Sequence, residues 1–304
     1  MKRKLILAPV DFSTGSRAAL EHAARLAVKL GAKLHVLHVI DSFALAMLAD
    51  KRGEPFDSAA KHSLDHARGA LDEWLGHSTL PAGYEVTLVI GVPVHEILEH
   101  VKSLGADLLV AGVAGAGGHA DGAGSVAGKL ARKCAVDVLL VRAGHSQAFA
   151  KIVAALDFSE HSPRVTSAAF ELAAADSTAA EVDLLHVWTD PGSLLPVMGP
   201  FGESGLSLAQ TSVPPREELL EVVKQSLKTH PATAPATLTV HEVALEQRKA
   251  AEGIAEHARA VNADLIVIGS LGRTNLRYLL LGSTAERLLS RVPCSVLVVK
   301  PVAE

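Results

Sequence analysis

The chain contains itself twice, and that repeat constrains its fold more than any other feature. Lys4-Leu-Ile-Leu-Ala-Pro-Val-Asp-Phe-Ser13 is matched by Ala150-Lys-Ile-Val-Ala-Ala-Leu-Asp-Phe-Ser159, with Asp11 over Asp157. Leu34-His-Val-Leu-His-Val39 is matched by Val182-Asp-Leu-Leu-His-Val187, with His38 over His186. Further on, Ala106-Asp-Leu-Leu-Val-Ala-Gly112 pairs with Ala263-Asp-Leu-Ile-Val-Ile-Gly269, and Val138-Leu-Leu-Val-Arg142 with Val296-Leu-Val-Val-Lys300. Four anchors in one order point to duplicated domains, 1–144 and 149–304, joined around Ala143-Gly-His-Ser-Gln-Ala148.

Within each half, short apolar runs alternate with longer stretches of helical spacing, the pattern of βαβ units in a parallel sheet. The first half reads as strands near 4–10, 33–40, 84–90, 107–113 and 137–142, with helices near 16–30, 58–77, 93–104 and 125–134. In the second half the strands fall near 151–156, 181–188, 237–244, 264–269 and 295–300, and the helices near 163–175, 216–229, 248–261 and 283–291. Leu20, Ala23, Ala24, Ala27 and Leu30 form a buried stripe at helical spacing, and Gly31 supplies the stop. Right-handed crossovers then give two tandem doubly wound α/β domains, each an open five-stranded parallel sheet with helices on both faces. Ligands on such sheets bind at the carboxyl ends of the strands, so Asp157, Val187 and Gly269 are expected to meet at one crevice.

Composition agrees with that class. Hydrophobic residues make up 49% of the 304, enough for two cores, while aromatics are only 4%, which suits small-residue packing against sheets buried on both faces. A formal net charge of −4 gives no overall pull toward nucleic acid or an anionic membrane. The apolar stretch after Met1-Lys-Arg-Lys4 is cut by Asp11, so it reads as a strand rather than a targeting peptide, and no run approaches the ~20 residues of a membrane helix. Cys134 and Cys294, each beside the last strand of its half, fit reduced thiols in a cytoplasm.

The sharpest motif is Gly269-Ser-Leu-Gly272, nine residues, then Gly282-Ser283-Thr284, which follows the strand 264–268 and opens a helix. Early glycines permit positive φ and let backbone approach a ligand, and N–H groups at a helix start attract anions. A carboxylate such as Asp157 can accept from a hydroxyl or base amine, while Arg273, Asn275 and Arg277 offer donors to phosphate. The plainer alternatives are that Ser283-Thr-Ala-Glu286 is only a capping box, and that Asp157 only caps its own loop.

The spacing G-x-x-G, nine residues, G-S/T resembles the nucleotide-binding branch of the universal stress protein family. The Asp-x-Ser after the first strand, the His-Val ending the second and the Ala-Asp-Leu-Ile-Val before the glycines resemble it too, and the likeness runs over both halves as a tandem pair. The resemblance implies a strand order of 3-2-1-4-5 in each domain and ATP as cofactor, with Mg²⁺ able to accompany it. It implies that Asp157 and Val187 contact adenine and ribose, that Ile268, Gly269, Gly272 and Arg273 run along ribose and phosphates, and that Gly282, Ser283 and Thr284 cradle the phosphates. The counterparts in the first half are Asp11, Val39, Gly112, Gly115, Gly124 and Ser125. There the loop is one residue shorter, lacks Lys and Arg, and carries Asp121, which would repel a triphosphate. It implies, too, that the last strands, 137–142 and 295–300, pair within the chain as single-domain relatives pair between chains, and two tandem chains can associate further.

No G-x-x-x-x-G-K-[ST], H-E-x-x-H or C-x-x-C pattern occurs, so neither a catalytic set nor a metal site is expected. His38 and His186 read as satisfied core histidines. The segments 41–57 and 189–215 interrupt the repeat, the latter a Pro- and Gly-rich loop whose apolar members can cover the cleft or dock a protein partner. The functional expectation is an ATP-binding regulatory or adaptor protein of the stress response. The alternatives are a slow ATPase or nucleotidyl-transfer enzyme, and a scaffold that binds no nucleotide.

Overall fold

The computed structural model describes residues 3–114, 123–144, 148–176, 179–190, 215–230, 233–272, 281–291 and 293–301. The first half runs β1 (Leu5–Val10), α1 (Thr14–Leu30), β2 (Lys33–Asp41), α2 (Ser42–Arg52), α3 (Phe56–Gly76), β3 (Glu85–Gly91), α4 (Pro93–Leu104), β4 (Leu108–Gly112), α5 (Ser125–Lys133) and β5 (Asp137–Val141). The second runs β6 (Lys151–Ala155), α6 (Ser162–Asp176), β7 (Glu181–Trp188), α7 (Arg216–Lys228), β8 (Thr239–Glu246), α8 (Ala250–Ala260), β9 (Leu265–Gly269), α9 (Ser283–Leu289) and β10 (Ser295–Val299). One helix was not anticipated. The segment 41–57 forms α2, capped by the Asp41 side chain, which accepts from the Phe43 and Ala44 N–H groups, and stopped by Gly53 in the left-handed region. The interrupting loop falls outside the described residues from 191 to 214.

Each half forms a parallel sheet of order 3-2-1-4-5, and the two join edge to edge as β3-β2-β1-β4-β5-β10-β9-β6-β7-β8. The joint is antiparallel, with Val296 opposite Leu140, Leu297 opposite Leu139 and Val298 opposite Val138. Strands of the two halves therefore run in opposite directions, so their carboxyl ends lie at opposite ends of one ten-stranded sheet.

Alternation along the strands divides the core into two layers. Ile6 and Ala8 face the helices α1, α3, α6 and α7, while Leu7 faces α4, α5, α8 and α9. The first layer crosses the joint without a break, since Leu139, Val141, Leu297 and Val299 belong to the same cluster as Leu20 of α1 and Leu172 of α6. Alanines at 18, 19, 23, 24 and 27 let α1 lie close on the sheet, and its start is fixed by Ser13, whose side chain accepts from the Ser16 N–H.

Polar groups lock the joint where the strands end. The carboxylate of Asp137, almost wholly buried, accepts from Arg3 at 2.9 Å, from Arg164 at 3.1 Å and from the Lys300 N–H at 2.8 Å. Its repeat partner Ser295 receives the Arg142 N–H at 3.1 Å. On the α1 side, Arg25 pairs with Asp176, Phe149 N–H donates to the same carboxylate at 2.7 Å, and the Phe149 ring stacks on His22 at 4.6 Å. The Lys300 ammonium crosses to the other half and donates to the Ala131 carbonyl at the end of α5 at 2.7 Å, where the helix dipole favours a cation. The ionic cost of that burial remains, and it pushes the Lys300 ammonium down to about 8 despite Cys134 and Asp137 nearby. Burial pushes the Cys294 thiol the other way, up to about 12, with Asp264 adding to it.

Two expectations follow from this joint. Asp137→Ala takes one acceptor from Arg3, which keeps Glu171, and one from Arg164, which keeps the Lys300 carbonyl, and leaves the buried Lys300 N–H without its partner; it should cost about 1–3 kcal/mol, read as a lower urea midpoint at unchanged slope, and an unchanged midpoint would contradict the role given to it. Between pH 8 and the ~10.4 of an exposed lysine, the unfolded chain holds a proton that folded Lys300 has lost, so its contribution to stability rises with pH across that window. Cys294 acts in the opposite sense above about 8.5, because the unfolded thiol ionises first. The stability of the wild type relative to Lys300→Met should therefore climb from pH 8 to about 10, and a difference independent of pH would refute the burial argument.

Candidate functional site

The Asp-Phe-Ser turn after the first strand is built the same way twice. Phe158 adopts φ 57° and Phe12 φ 64°, a left-handed backbone that costs a bulky residue roughly 1–2 kcal/mol. A tilted ring contact with a histidine accompanies it in both halves. The Phe158 ring lies 4.3 Å from His186 and the Phe12 ring 4.5 Å from His38. Each histidine in turn places Nδ1 against the carbonyl ending the first strand, His186 at 2.7 Å from Leu156 and His38 at 2.8 Å from Val10. A carbonyl only accepts, which puts the proton on Nδ1 and confirms both as satisfied core histidines. The turn aims Asp157 at the sheet end, where Oδ1 accepts from the Ser159 N–H and the Ser162 hydroxyl, both at 3.0 Å. Asp11 accepts likewise from the Ser13 N–H at 3.1 Å and from its hydroxyl.

A cleft of about 290 Å³ opens at the carboxyl ends of β6, β7 and β9. Asp157, Val187, Ile268, Gly269, Gly272, Gly282, Ser283 and Thr284 all line it, so every described residue named for the second half converges there. Arg273, like Asn275 and Arg277, lies outside the described residues. Ala250 and Ile254 of α8 form the far wall.

Gly269, Gly272 and Gly282 are absent from the positive-φ glycines; Gly269 and Gly272 instead serve by close approach, while a Cβ on Gly282 would make only ordinary contact, 3.4 Å from the Ser270 carbonyl oxygen. A Cβ on Gly272 would stand 3.1 Å from Asp157 Oδ2, and one on Gly269 3.1 Å from the Leu271 carbonyl. Any side chain at 272 would thus press on the carboxylate at the mouth of the cleft. The capping box also fails to form. Gly282 is the N-cap of α9 without a side-chain cap bond, Ser283 is the first helical residue, and Glu286 pairs instead with Arg132 of α5 at 2.6 Å. The first-turn N–H groups of Ser283, Thr284 and Ala285 have no intrahelical carbonyl to meet, and their residues border the cleft.

His161 was not foreseen. It lines the cleft at the entrance to α6, with Nε2 buried, without a hydrogen-bond partner and 3.6 Å from the Glu160 carboxylate. The repeat could have drawn attention to it, because its counterpart is Gly15.

The first half carries a second cleft, of about 330 Å³, lined by Asp11, Val39, Gly112, Gly124 and Ser125 together with Pro93 and Ile97 of α4. Gly115 lies outside the described residues. Gly112 is packed so tightly on α1 that a Cβ would meet the Gly15 carbonyl carbon at 2.8 Å. Among the described residues no group of three metal-ligating side chains occurs, and no helix is long and apolar enough to cross a membrane.

The model of the Universal stress protein family matches residues 2–142 and again 148–300. A universal stress protein of Mycolicibacterium smegmatis is 26% identical over 309 residues, covering 97% of this chain and 97% of that one. The stress response protein NhaX of Bacillus subtilis is 29% identical over 163 residues, 49% of this chain and 97% of NhaX. The crystal structure of a universal stress protein from Archaeoglobus fulgidus has the same fold, with a TM-score of 0.64 at 22% identity over 97% of this chain and 96% of that one. With both halves matched in sequence and architecture, the chain belongs to the universal stress protein family as a tandem of two such domains.

Proposed function

We propose that the protein is an ATP-binding regulatory or adaptor protein of the stress response, with the nucleotide held in the C-terminal cleft. The observation that carries this reading is convergence: the first turn of α9 at Gly282-Ser283-Thr284 borders the same open cleft as Asp157 and Val187. An acceptor for ribose or base donors shares the cleft with main-chain donors suited to phosphate and with apolar walls from Ile254 and Ile268. The glycines keep the space clear, so the residues present fit an adenine nucleotide. Mg²⁺ would be held by the triphosphate itself, since the cleft offers no cluster of ligands among the described residues.

In this reading nucleotide occupancy alters the chain after residue 269 and any surface built on it, a protein partner docks through 189–215, and two tandem chains can associate further. We place the protein in the cytoplasm, where ATP is abundant and where Cys134 and Cys294, both buried free thiols, stay reduced. A second reading, slow ATP hydrolysis, draws on His161 alone, an imidazole at the cleft able to act as a base.

Calorimetry with ATP and Mg²⁺ tests the first reading: Gly272→Val should abolish binding in the C-terminal cleft, and unchanged affinity in a folded variant would refute it. If hydrolysis occurs, His161→Ala should lower steady-state phosphate release at least tenfold, about 1.4 kcal/mol, while ATP still binds; turnover unaffected by the substitution would remove the second reading.

A further inference from the structure

The two edges of the ten-stranded sheet differ in kind. β3 forms one and β8 the other, and among the described residues no strand lies beyond either. β8 is guarded by charge, because His241, Glu242 and Glu246 are all exposed along it. β3 has Glu85 at its start and then no charged residue from Val86 to Gly91, so its outward main-chain groups stand among valine, leucine and isoleucine side chains. Exposed apolar surface gathers at the same edge. Seven of the twelve large apolar residues exposed among the described residues lie here, a concentration that scattered surface hydrophobics do not produce. They form two groups: Tyr84 and Val86 mark the amino end of β3, whereas Phe43, Met47 and Leu48 of α2, with Phe56 and Val92, mark its carboxyl end. Ile90 packs with Leu45 and Ala49 of α2 and Ala59 of α3, which places that helix pair on the face of β3 that Val86 shares by alternation.

We propose that β3 and the exposed face of α2 form a dimer interface that takes the β3 edge of a second copy of this chain, antiparallel and centred on Leu88. A second copy fits because the edge complements itself. Antiparallel pairing brings the amino end of each β3 against the carboxyl end of the other, so Tyr84 and Val86 of one protomer meet the α2 group of its partner. Val86 then stands opposite the partner's Ile90, and Glu85 opposite the partner's Gly91, so no like charges face each other along the pair. The two-fold axis of such a pair is perpendicular to the sheet and keeps both α2 helices on one face. β5 and β10 show the same relation inside the chain, since the core layer on each face crosses their joint. The dimer would repeat at the outer edge the device that joins the two halves. It names the surface on which two tandem chains associate, and it does not rest on the nucleotide reading.

Sedimentation of the full chain without nucleotide tests the proposal. At about 50 µM the wild type should show twice the mass of the 304-residue chain. Val86→Lys, a charge on the edge, and Phe43→Glu, a charge on the α2 face, should each raise the dimer dissociation constant at least about tenfold. Both positions are exposed, so the variants should keep the circular dichroism of the wild type. Val86→Thr, neutral and suited to a strand, should keep the dimer, as should Val222→Lys at an exposed apolar position of α7. A wild type that stays monomeric, a dimer that survives Val86→Lys or Phe43→Glu, or one that Val222→Lys breaks would each overturn the proposal.

Discussion

The antiparallel pairing of β5 with β10 is the constraint on which the architecture rests. Both strands are fully buried and, after Asp137 and Ser295 at their starts, apolar, and either one left at an edge would present unpaired backbone beside exposed valines and leucines. Pairing them inside one chain removes both edges, fuses both core layers across the halves and sends the two clefts to opposite ends of the sheet. It also gives each half a stake in the helix that borders the other's cleft. Lys300 caps the end of α5, Arg132 holds Glu286 in the first turn of α9, and the Ala123 N–H donates to the Leu289 carbonyl at the end of α9 at 2.8 Å.

Most of this organisation could be read from the residues, because repetition and periodicity are strong signals. The strands at 151–155 and 265–269 were placed within a residue or two by continuous apolar runs, and both strand order and edge pairing followed from the family resemblance. Helix α2 escaped because its pattern is weak: only Leu45 and Ala49 are buried, while Phe43 and Met47 point outward, so no stripe marks it. The caps at Asp41 and Gly53 were legible and carried the only local information.

At the clefts, residue identity was easier to read than residue role. Asp157, Val187 and the glycines were named from their spacing and family pattern, yet Gly269 and Gly272 work by close approach and not by left-handed φ, a distinction no sequence spells out. The left-handed Phe12 and Phe158 reversed expectation more sharply, since bulky residues avoid that region. Only the three-dimensional contact of each ring, tilted against His38 or His186, accounts for them. The Ser-x-x-Glu signal offered a capping box as the alternative to a ligand role for Ser283, but Gly282 takes the cap position and Glu286 pairs with Arg132 of the other half.

The central claim is that the C-terminal half presents main-chain donors and one carboxylate to an adenine nucleotide. An experimental structure of the full chain grown with ATP and Mg²⁺ tests it most directly. The account predicts phosphate oxygens against the N–H groups of Ser283 and Thr284, with the ribose or base beside Asp157 and Val187. A cleft filled by the protein's own side chains, or a nucleotide bound anywhere else, would contradict it.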